Sequence, residues 1–573
     1  TGVPTKTEQA DLTQALVRGA RQLGVKIIEH TTVRGITLNN HQVSGIETSS
    51  GSIDCEQVAI CAGLWSREIA RRAGANIPLI PSFHQYMVTE PIEGIVSDMP
   101  GIRDPDRLTY FKEEVGGLAA GGYELNPIPY DGEPSVDDPE FRLFPEMTEH
   151  FAQFMPGMVE RFPQLETVGI KRWFRGLDSF TEDTHFILGE LPEVRGLFCA
   201  CGFNAMGIAA GGGAGMALAQ WMRDGESPFD LWPVDIRRFS AYHRSDRQLG
   251  PRVLEGQGHH YVMHWPHFEF QAGRPLRRSA LYDRLKKSGA CFGSKSGWER
   301  ANWFAPDGVE PVDKLSFRRH TSYFEHVGRE CVATRDRVAV YELSAFAKFL
   351  VSGPTSNTYL DRLTSGRLPK LNRVGYNLML TPSGFVGDDM TVTRLAENRF
   401  YVVAPAASEL RLVQHMEDNL PRGGGVTIDN VTNRYGVLAV VGPRSRALLS
   451  KLTDTDLSSE GFPYLSWRDV HVGVAPARAL RVNFVGELGW ELHHEMLYQR
   501  TIYEHILDAG QELGLANCGM RSVLNSMRIE KGYLLSPDIC GEETPLQAGL
   551  DRFVTFDKGD FIGRAALEAQ ATR

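Results

Sequence analysis

The sequence predicts a multidomain chain in which an α/β module is followed by an α+β module, and three observations carry that reading. The first is length: 573 residues exceed what one core organises, since domains run to roughly 150 residues. The second is that short apolar runs alternate with helical periodicity across residues 1–225. The third is a change of texture: from 224 to about 275 the chain is rich in Pro, His, Arg and Trp with poor periodicity, and beyond it regular helices and strands resume.

The elements follow in order. Leu12, Leu16, Ala20 and Leu23 recur at near-helical spacing and Gly24 stops that helix, so Val25-Lys-Ile-Ile-Glu-His reads as a following strand. Short strand-like runs over 41–62 break at Gly51, and Val58-Ala-Ile-Cys-Ala reads as a buried strand turned by Gly63 into a helix near Trp65. Gly196-Leu-Phe-Cys-Ala-Cys repeats the pattern, with a glycine-rich turn and a helix reaching Trp221. Residues 226–275 read as an irregular connector. From 276 to 556, amphipathic helices such as the one approaching Gly514 alternate with strands such as Arg399-Phe-Tyr-Val-Val and Gly436-Val-Leu-Ala-Val-Val. No internal repeat or low-complexity tract interrupts this order, only a short Gly423-Gly-Gly turn.

Composition narrows the function classes. Hydrophobic residues are 42% and charged residues 23%, with no apolar run approaching the ~18 residues of a membrane span, so a soluble protein is expected. A net charge of −10 offers no general basic field for nucleic acid. The eight cysteines lack CxxC pairs, which fits a reducing compartment. Cys199 and Cys201, on one side of a strand, read as core thiols. His259, His260, His264 and His267 form the most metal-like cluster, but Pro266 interrupts any regular helix and no completing Cys, Asp or HExxH pattern follows, so no metal is expected.

Cys201-Gly-Phe-Asn-Ala-Met-Gly-Ile-Ala-Ala-Gly-Gly-Gly-Ala-Gly lies between a strand and a helix, where free N–H groups and the positive helix end suit an anion. It does not match GxGxxG, and a bare structural turn explains it equally well. Taken with His84-Gln-Tyr-Met-Val-Thr-Glu-Pro-Ile-Glu-Gly-Ile and Gly121-Gly-Tyr-Glu-Leu-Asn-Pro, in order across 1–225, it resembles the flavin module of the sarcosine and dimethylglycine dehydrogenases. The resemblance implies an α/β FAD-dependent oxidoreductase (DAO-like) module. It implies that Val33 presents backbone to the adenine end of FAD, that Trp65 lies beside the cofactor, and that Phe203, Asn204, Ala205, Met206, Gly207 and Ile208 wrap the flavin ring. Without the family, Trp65 reads as a buried helix-start aromatic. The family's opening GxGxxG strand and flavin-attaching histidine do not precede Thr1, so the module is expected to be incomplete and the fragment inactive alone.

Gly387-Asp-Asp-Met-Thr-Val, Phe484-Val-Gly-Glu-Leu-Gly-Trp-Glu-Leu, Arg528-Ile-Glu-Lys-Gly-Tyr and Thr544-Pro-Leu-Gln-Ala-Gly-Leu resemble, in this order, the folate-binding domain of glycine-cleavage aminomethyltransferase. That implies an α+β fold over 276–556, with 557–573 beginning a truncated C-terminal barrel. The implied folate residues are Asp389, Met390, Thr391, Phe484, Glu491, Leu492, His493 and Arg552. A carboxylate such as Glu491 accepts from both the amino group and ring N–H of a pterin. Asp389, near N5 and N10, holds or shuttles protons. Phe484 stands where relatives have tyrosine, and Leu524 where the aminomethyltransferases have arginine. Read without the family, Asp388-Asp389 is a turn pair and Glu491 a surface residue on a strand; Asp388 in either case reads as solvated or capping.

The implied activity is oxidation of an N-methylglycine-type amine, sarcosine or dimethylglycine, by FAD, with the one-carbon unit passed to tetrahydrofolate and electrons to an electron-transfer flavoprotein. His84 and Tyr86 are the candidates for the substrate side, and Arg175 for clamping a carboxylate, with a structural salt bridge as its alternative role. The expected location is the cytoplasm of a bacterium or the mitochondrial matrix of a eukaryote. A rival reading is a non-catalytic homologue, such as a pyruvate dehydrogenase phosphatase regulatory subunit.

Overall fold

The computed structural model describes residues 9–132, 134, 135, 137, 143–262, 268–316, 320–539 and 541–572. They fall into two compact units, the first comprising the described residues up to 262 with Phe270–Gly273, the second residues 268–269 and those from Arg274 onward. His264 and His267 lie outside the described residues. No helix among the described residues is long and apolar enough to cross a membrane.

The first unit opens with the helix Gln9–Gln22. Residues 25–30 do not form the expected strand: Val25 and Ile28 are exposed, and no described strand offers their backbone a ladder. Val33–Asn39, Gln42–Thr48 and Gly51–Asp54 make an antiparallel sheet. Val58–Ile60 pairs in parallel with Leu197–Cys201, which also pairs with Ile187–Glu190. Val58–Ile60 is shorter and less buried than its apolar sequence suggests, because it lies at that sheet's edge, whereas Cys199 and Cys201 are buried in the core as expected. The helix Gly207–Asp224 follows, with Ala214, Ala217, Leu218 and Trp221 inward and its glycine face outward.

A five-stranded antiparallel sheet holds His84, Tyr86 and Arg175, in the order Ile102–Asp104, Thr109–Glu114, Gly117–Gly122, Leu79–Thr89, Ile170–Thr181. The stretch read as an irregular connector contains a 13-residue helix, Asp246–Gly258. Its periodicity was masked because Pro251 sits inside it and only Leu249 and Val253 supply buried aliphatic side chains, against Tyr123 and Phe180.

In the second unit, a six-stranded sheet runs Trp467–Val472, Ala475–Leu480, Gly489–Glu495, Tyr435–Val441, Val338–Glu342, Leu515–Cys518. A five-stranded sheet runs Val374–Leu380, Val386–Ala396, Arg399–Ala404, Ala347–Ser352, Thr427–Asn430. One face of the latter packs Phe349, Val351, Met390, Val392, Phe400 and Val402 into an apolar core, and its other face mixes Leu350, Tyr401 and Val403 with Lys348 and Asp389. The helix Arg564–Ala571 closes the described chain, with Phe561 and Leu567 buried against Leu378, Leu380 and Val386.

Candidate functional site

In the first unit the strand Leu79–Thr89 lies between two neighbours, and alternation puts His84 and Tyr86 on one face, Phe83 and Gln85 on the other. His84 Nε2 is 2.9 Å from the Tyr110 hydroxyl, and its ring stacks on Tyr123 at 4.3 Å. Tyr123 donates to Asp178 Oδ2 at 3.4 Å, and the rings of His260 and Tyr261 close round it at 4.7 and 4.9 Å. Burial lowers the His84 pKa against the pull of Asp178 and Glu124, so the imidazole is neutral at pH 7. Burial, with Tyr261 and Asp178 nearby, holds Tyr110 well above the usual phenol value, and Tyr123 is raised in the same way. His84 Nδ1 is buried and has no hydrogen-bond partner among the described residues.

Tyr86 stacks on Phe174 at 4.8 Å, and the Arg172 guanidinium lies 4.5 Å over that ring. Gly121 pairs with both Tyr86 and Tyr110, and a side chain there would collide with the Tyr110 hydroxyl and the Tyr86 Cβ. Arg175 is placed differently from expectation. It pairs with Gln85, on the face opposite His84 and Tyr86, where its guanidinium stacks over Phe83 at 3.6 Å and donates to the Pro145 carbonyl at 3.1 Å. It makes no salt bridge with any described carboxylate. Arg175 and His84 nonetheless both border one small cavity, with Glu124, Met147 and His150.

Residues implied for FAD lie on three segments. Val33 starts its strand and Trp65 closes the short turn Gly63–Trp65, both half-buried. Phe203 stacks on Phe186 at 4.9 Å. Asn204 and Ala205 take left-handed backbone, and the Asn204 side chain is spent on the turn, accepting from Thr181 N at 2.9 Å and donating to Gly202 O at 2.6 Å. Ala205, Met206, Gly207 and Ile208 are exposed at the start of the 18-residue helix Gly207–Asp224, and open space surrounds Gly211, Gly212 and Gly213. Exposed backbone at a helix N-terminus with no side chains in the way suits an anionic group such as a dinucleotide or a reduced flavin edge.

In the second unit two buried carboxylates stand one on each sheet, Glu491 beside Ala439 and Asp389 beside Leu378. Glu491, in Gly489–Glu495, is only 7% exposed, against the surface position its sequence context suggests. Burial pushes its pKa up to about 8. One of its oxygens lies 3.2 Å from His493 Nε2, and His493 Nδ1 is 3.1 Å from the Tyr401 hydroxyl on the five-stranded sheet. Strand register puts Tyr401, Thr391, Asp389 and Lys348 on that sheet's same face. Asp389 is buried beside Tyr376, and burial raises it to about 6 against the hydrogen bond from that phenol. Asp388, read as solvated, is instead 5% exposed and faces the Arg411 guanidinium at 3.8 Å.

The other implied folate residues divide. Met390 and Leu492 alternate into the apolar cores, so only their backbone faces the carboxylate side. Phe484 is half-buried and packs against Tyr533 at 5.6 Å, with Leu524 bordering the same cluster. Arg552 is exposed, and its charge reaches Tyr376 beside Asp389. Sequence reasoning missed Tyr110, Tyr123, Asp178, Tyr401 and Lys348. Tyr123 stands in the quoted Gly121-Gly-Tyr run, and its alternation with Gly121 was the available signal. Among the described residues no cluster of three or more His, Cys, Asp or Glu is placed to hold a metal ion.

Against known proteins, residues 5–221 match the family described as FAD dependent oxidoreductase, 224–279 the FAD dependent oxidoreductase central domain, and 281–558 the GCVT N-terminal domain. The chain is 35% identical over 558 residues to 4-methylaminobutanoate oxidase (formaldehyde-forming) of Paenarthrobacter nicotinovorans, covering 97% of this chain and 67% of that protein. It is 35% identical over 605 residues to mitochondrial sarcosine dehydrogenase of Homo sapiens, with coverages of 97% and 65%. It is 32% identical over 572 residues to the mitochondrial pyruvate dehydrogenase phosphatase regulatory subunit of Mus musculus, with coverages of 98% and 65%. The chain thus spans about two thirds of the length of these relatives, and the matches bear out the module order read from the motifs.

Proposed function

We infer the function from the premise that this chain belongs to the family of FAD-dependent amine oxidoreductases fused to a GCVT-type module. The protein oxidises an N-methyl amino acid of the sarcosine or dimethylglycine type and delivers the released one-carbon unit to tetrahydrofolate. FAD, when bound, supplies the two-electron acceptor, and tetrahydrofolate supplies the nitrogens that take up the one-carbon unit. The flavin module occupies 1–225, with Val33, Trp65 and residues 203–208 toward the cofactor, 226–275 connecting and 276–556 binding folate.

The observation that carries the reading is the neutral His84 hydrogen-bonded to Tyr110, beside an aromatic wall, in a module of this family. A methylated ammonium must lose its proton before its C–H bond can give up hydride, and a neutral imidazole is the group to take it. Tyr86 supports the amine's apolar side. Arg172, on the same face as Tyr86 and without a carboxylate partner among the described residues, joins Arg175 as a candidate for the substrate carboxylate. In the second unit Glu491 accepts from the pterin, Asp389 manages protons during one-carbon closure, and Phe484 contributes a ring without a hydroxyl. Electrons pass to an electron-transfer flavoprotein, in the bacterial cytoplasm or the mitochondrial matrix.

The 32% identity over 98% of the chain to a phosphatase regulatory subunit favours a second, non-catalytic reading. Anaerobic addition of sarcosine, dimethylglycine or 4-methylaminobutanoate to flavin-loaded protein separates the two. Bleaching of the visible flavin band supports the oxidoreductase; a spectrum indifferent to all three amines supports the regulator.

A further inference from the structure

Glu491 is one end of a three-residue chain that crosses from one sheet to the other. His493 follows it by two residues in Gly489–Glu495, so both side chains leave the same face, and the chain continues to Tyr401 at 3.1 Å. All three are almost fully buried, and the Tyr401 ring stands perpendicular to the imidazole at 5.4 Å. We propose that Tyr401 is a positioning residue for folate: by donating its hydroxyl proton to His493 Nδ1 it fixes the imidazole as the Nε2–H tautomer, which holds Glu491 as an ionised acceptor for the two pterin donors. This rests on the folate reading of the second unit.

Burial, with Lys348 and Arg478 nearby, keeps His493 neutral, so one ring nitrogen carries the proton. Two arrangements then satisfy the chain. In one, Tyr401 donates and Nε2–H donates to a carboxylate; in the other, Nδ1–H donates to Tyr401 and Nε2 accepts from a carboxylic acid. The Arg478 charge favours the first, because it offsets part of the burial that raises the Tyr401 phenol and so makes that hydroxyl the better donor. Arg478, directly across the ladder from His493, lies 5.3 Å over the Tyr401 ring, and Lys348 projects from Ala347–Ser352 on the Tyr401 face. Tyr435 packs edge-on against Tyr401 at 6.0 Å. Glu342 and Glu409 bear on Lys348 rather than on Glu491. With Glu491 at about 8, folate binding at neutral pH must expel a proton to solvent, and the Nε2–H donor lowers the cost of that loss.

The test is calorimetric titration of the full chain with tetrahydrofolate between pH 6 and 9. Wild-type affinity should rise with pH and level off above about 8. Tyr401→Phe, which keeps the ring, should weaken binding about fivefold at pH 7 and move the midpoint upward, consistent with loss of one hydrogen bond. In a His493→Gln background, where no tautomer exists, adding Tyr401→Phe should not move the midpoint further. A Tyr401→Phe loss that is equal at every pH, or no loss at all, overturns the relay. Glu491→Ala with wild-type affinity overturns the folate reading itself, and so is distinguishable from failure of the relay.

Discussion

The Nε2 of His84 and the hydroxyl of Tyr110 lie 2.9 Å apart although 26 residues separate them in the chain. Strand pairing through Gly117–Gly122 brings them together, and the contact joins a neutral base to a phenol that stays protonated. His84→Asn should slow amine-dependent flavin reduction by on the order of 10²–10⁴-fold, the usual worth of a positioned base. Tyr110→Phe should slow it less, and neither should alter folate affinity. Stopped-flow bleaching at saturating amine is the measurement; wild-type rates in both variants would remove the pair from the reaction.

The two arginines of the Ile170–Thr181 strand should separate cleanly. Arg172→Gln should raise KM for the amino acid by roughly tenfold, about 1.4 kcal/mol, with kcat little changed. Arg175→Gln should leave KM within about twofold and instead lower the melting temperature, because it loses the Phe83 stack and the Pro145 bond. Tyr86→Phe keeps the Phe174 stack, so it should slow reduction only if the hydroxyl meets the substrate. Steady-state kinetics with and without a carboxylate on the amine decide the first pair.

Oxidation and capture should uncouple in the second unit. Glu491→Ala removes a buried acceptor, and stranding its partners costs about 1–3 kcal/mol, so tetrahydrofolate should bind roughly tenfold more weakly. Asp389→Asn keeps the shape without the charge, so flavin reduction should persist while product shifts from methylenetetrahydrofolate to free formaldehyde. With Asp389 raised to about 6, wild-type protein should show the same shift below pH 6, where the carboxylate takes up its proton. Formaldehyde release measured under turnover tests both; an unchanged product ratio in Asp389→Asn would leave that residue without the role.

Lys348 is fully buried, and among the described residues its ammonium bonds only to the Ser344 carbonyl, at 2.7 Å. Burial lowers its pKa to about 7 against the pull of Glu342 and Glu409. Between pH 7 and the ordinary lysine value near 10.5 the unfolded chain binds the proton and the folded chain does not, so stability from this site rises with pH across that window. Lys348→Met should therefore stabilise the protein by roughly 1–4 kcal/mol at pH 6 and by less at pH 9. Melting curves at the two pH values check it, and equal shifts at both would contradict the depressed pKa.

What the sequence disclosed depended on how far apart the cooperating residues lie. Leu197–Cys201 and Gly207–Asp224 were legible because an unbroken apolar run and a helical period are local signals. Residues 25–30 had the composition of a strand but, among the described residues, no partner strand, which no local pattern reports. Asp246–Gly258 hid behind Pro251. Glu491 and Asp389 emerged from motif order, yet their burial did not, since it comes from sheets whose strands are far apart in the chain. Tyr401 and His493 are separated by 92 residues, and only the fold makes them neighbours.

The missing side chain at Gly121 makes the first unit's aromatic row adjustable by single carbon atoms. Tyr86, Gly121 and Tyr110 stand side by side on three adjacent strands, and the Tyr110 phenol and the Tyr86 Cβ fill the volume that glycine leaves. Alanine there would work as a wedge, pushing the Tyr110 ring away from its neighbour strand. On the proposed function, spacer size at Gly121 then tunes how the amine is received.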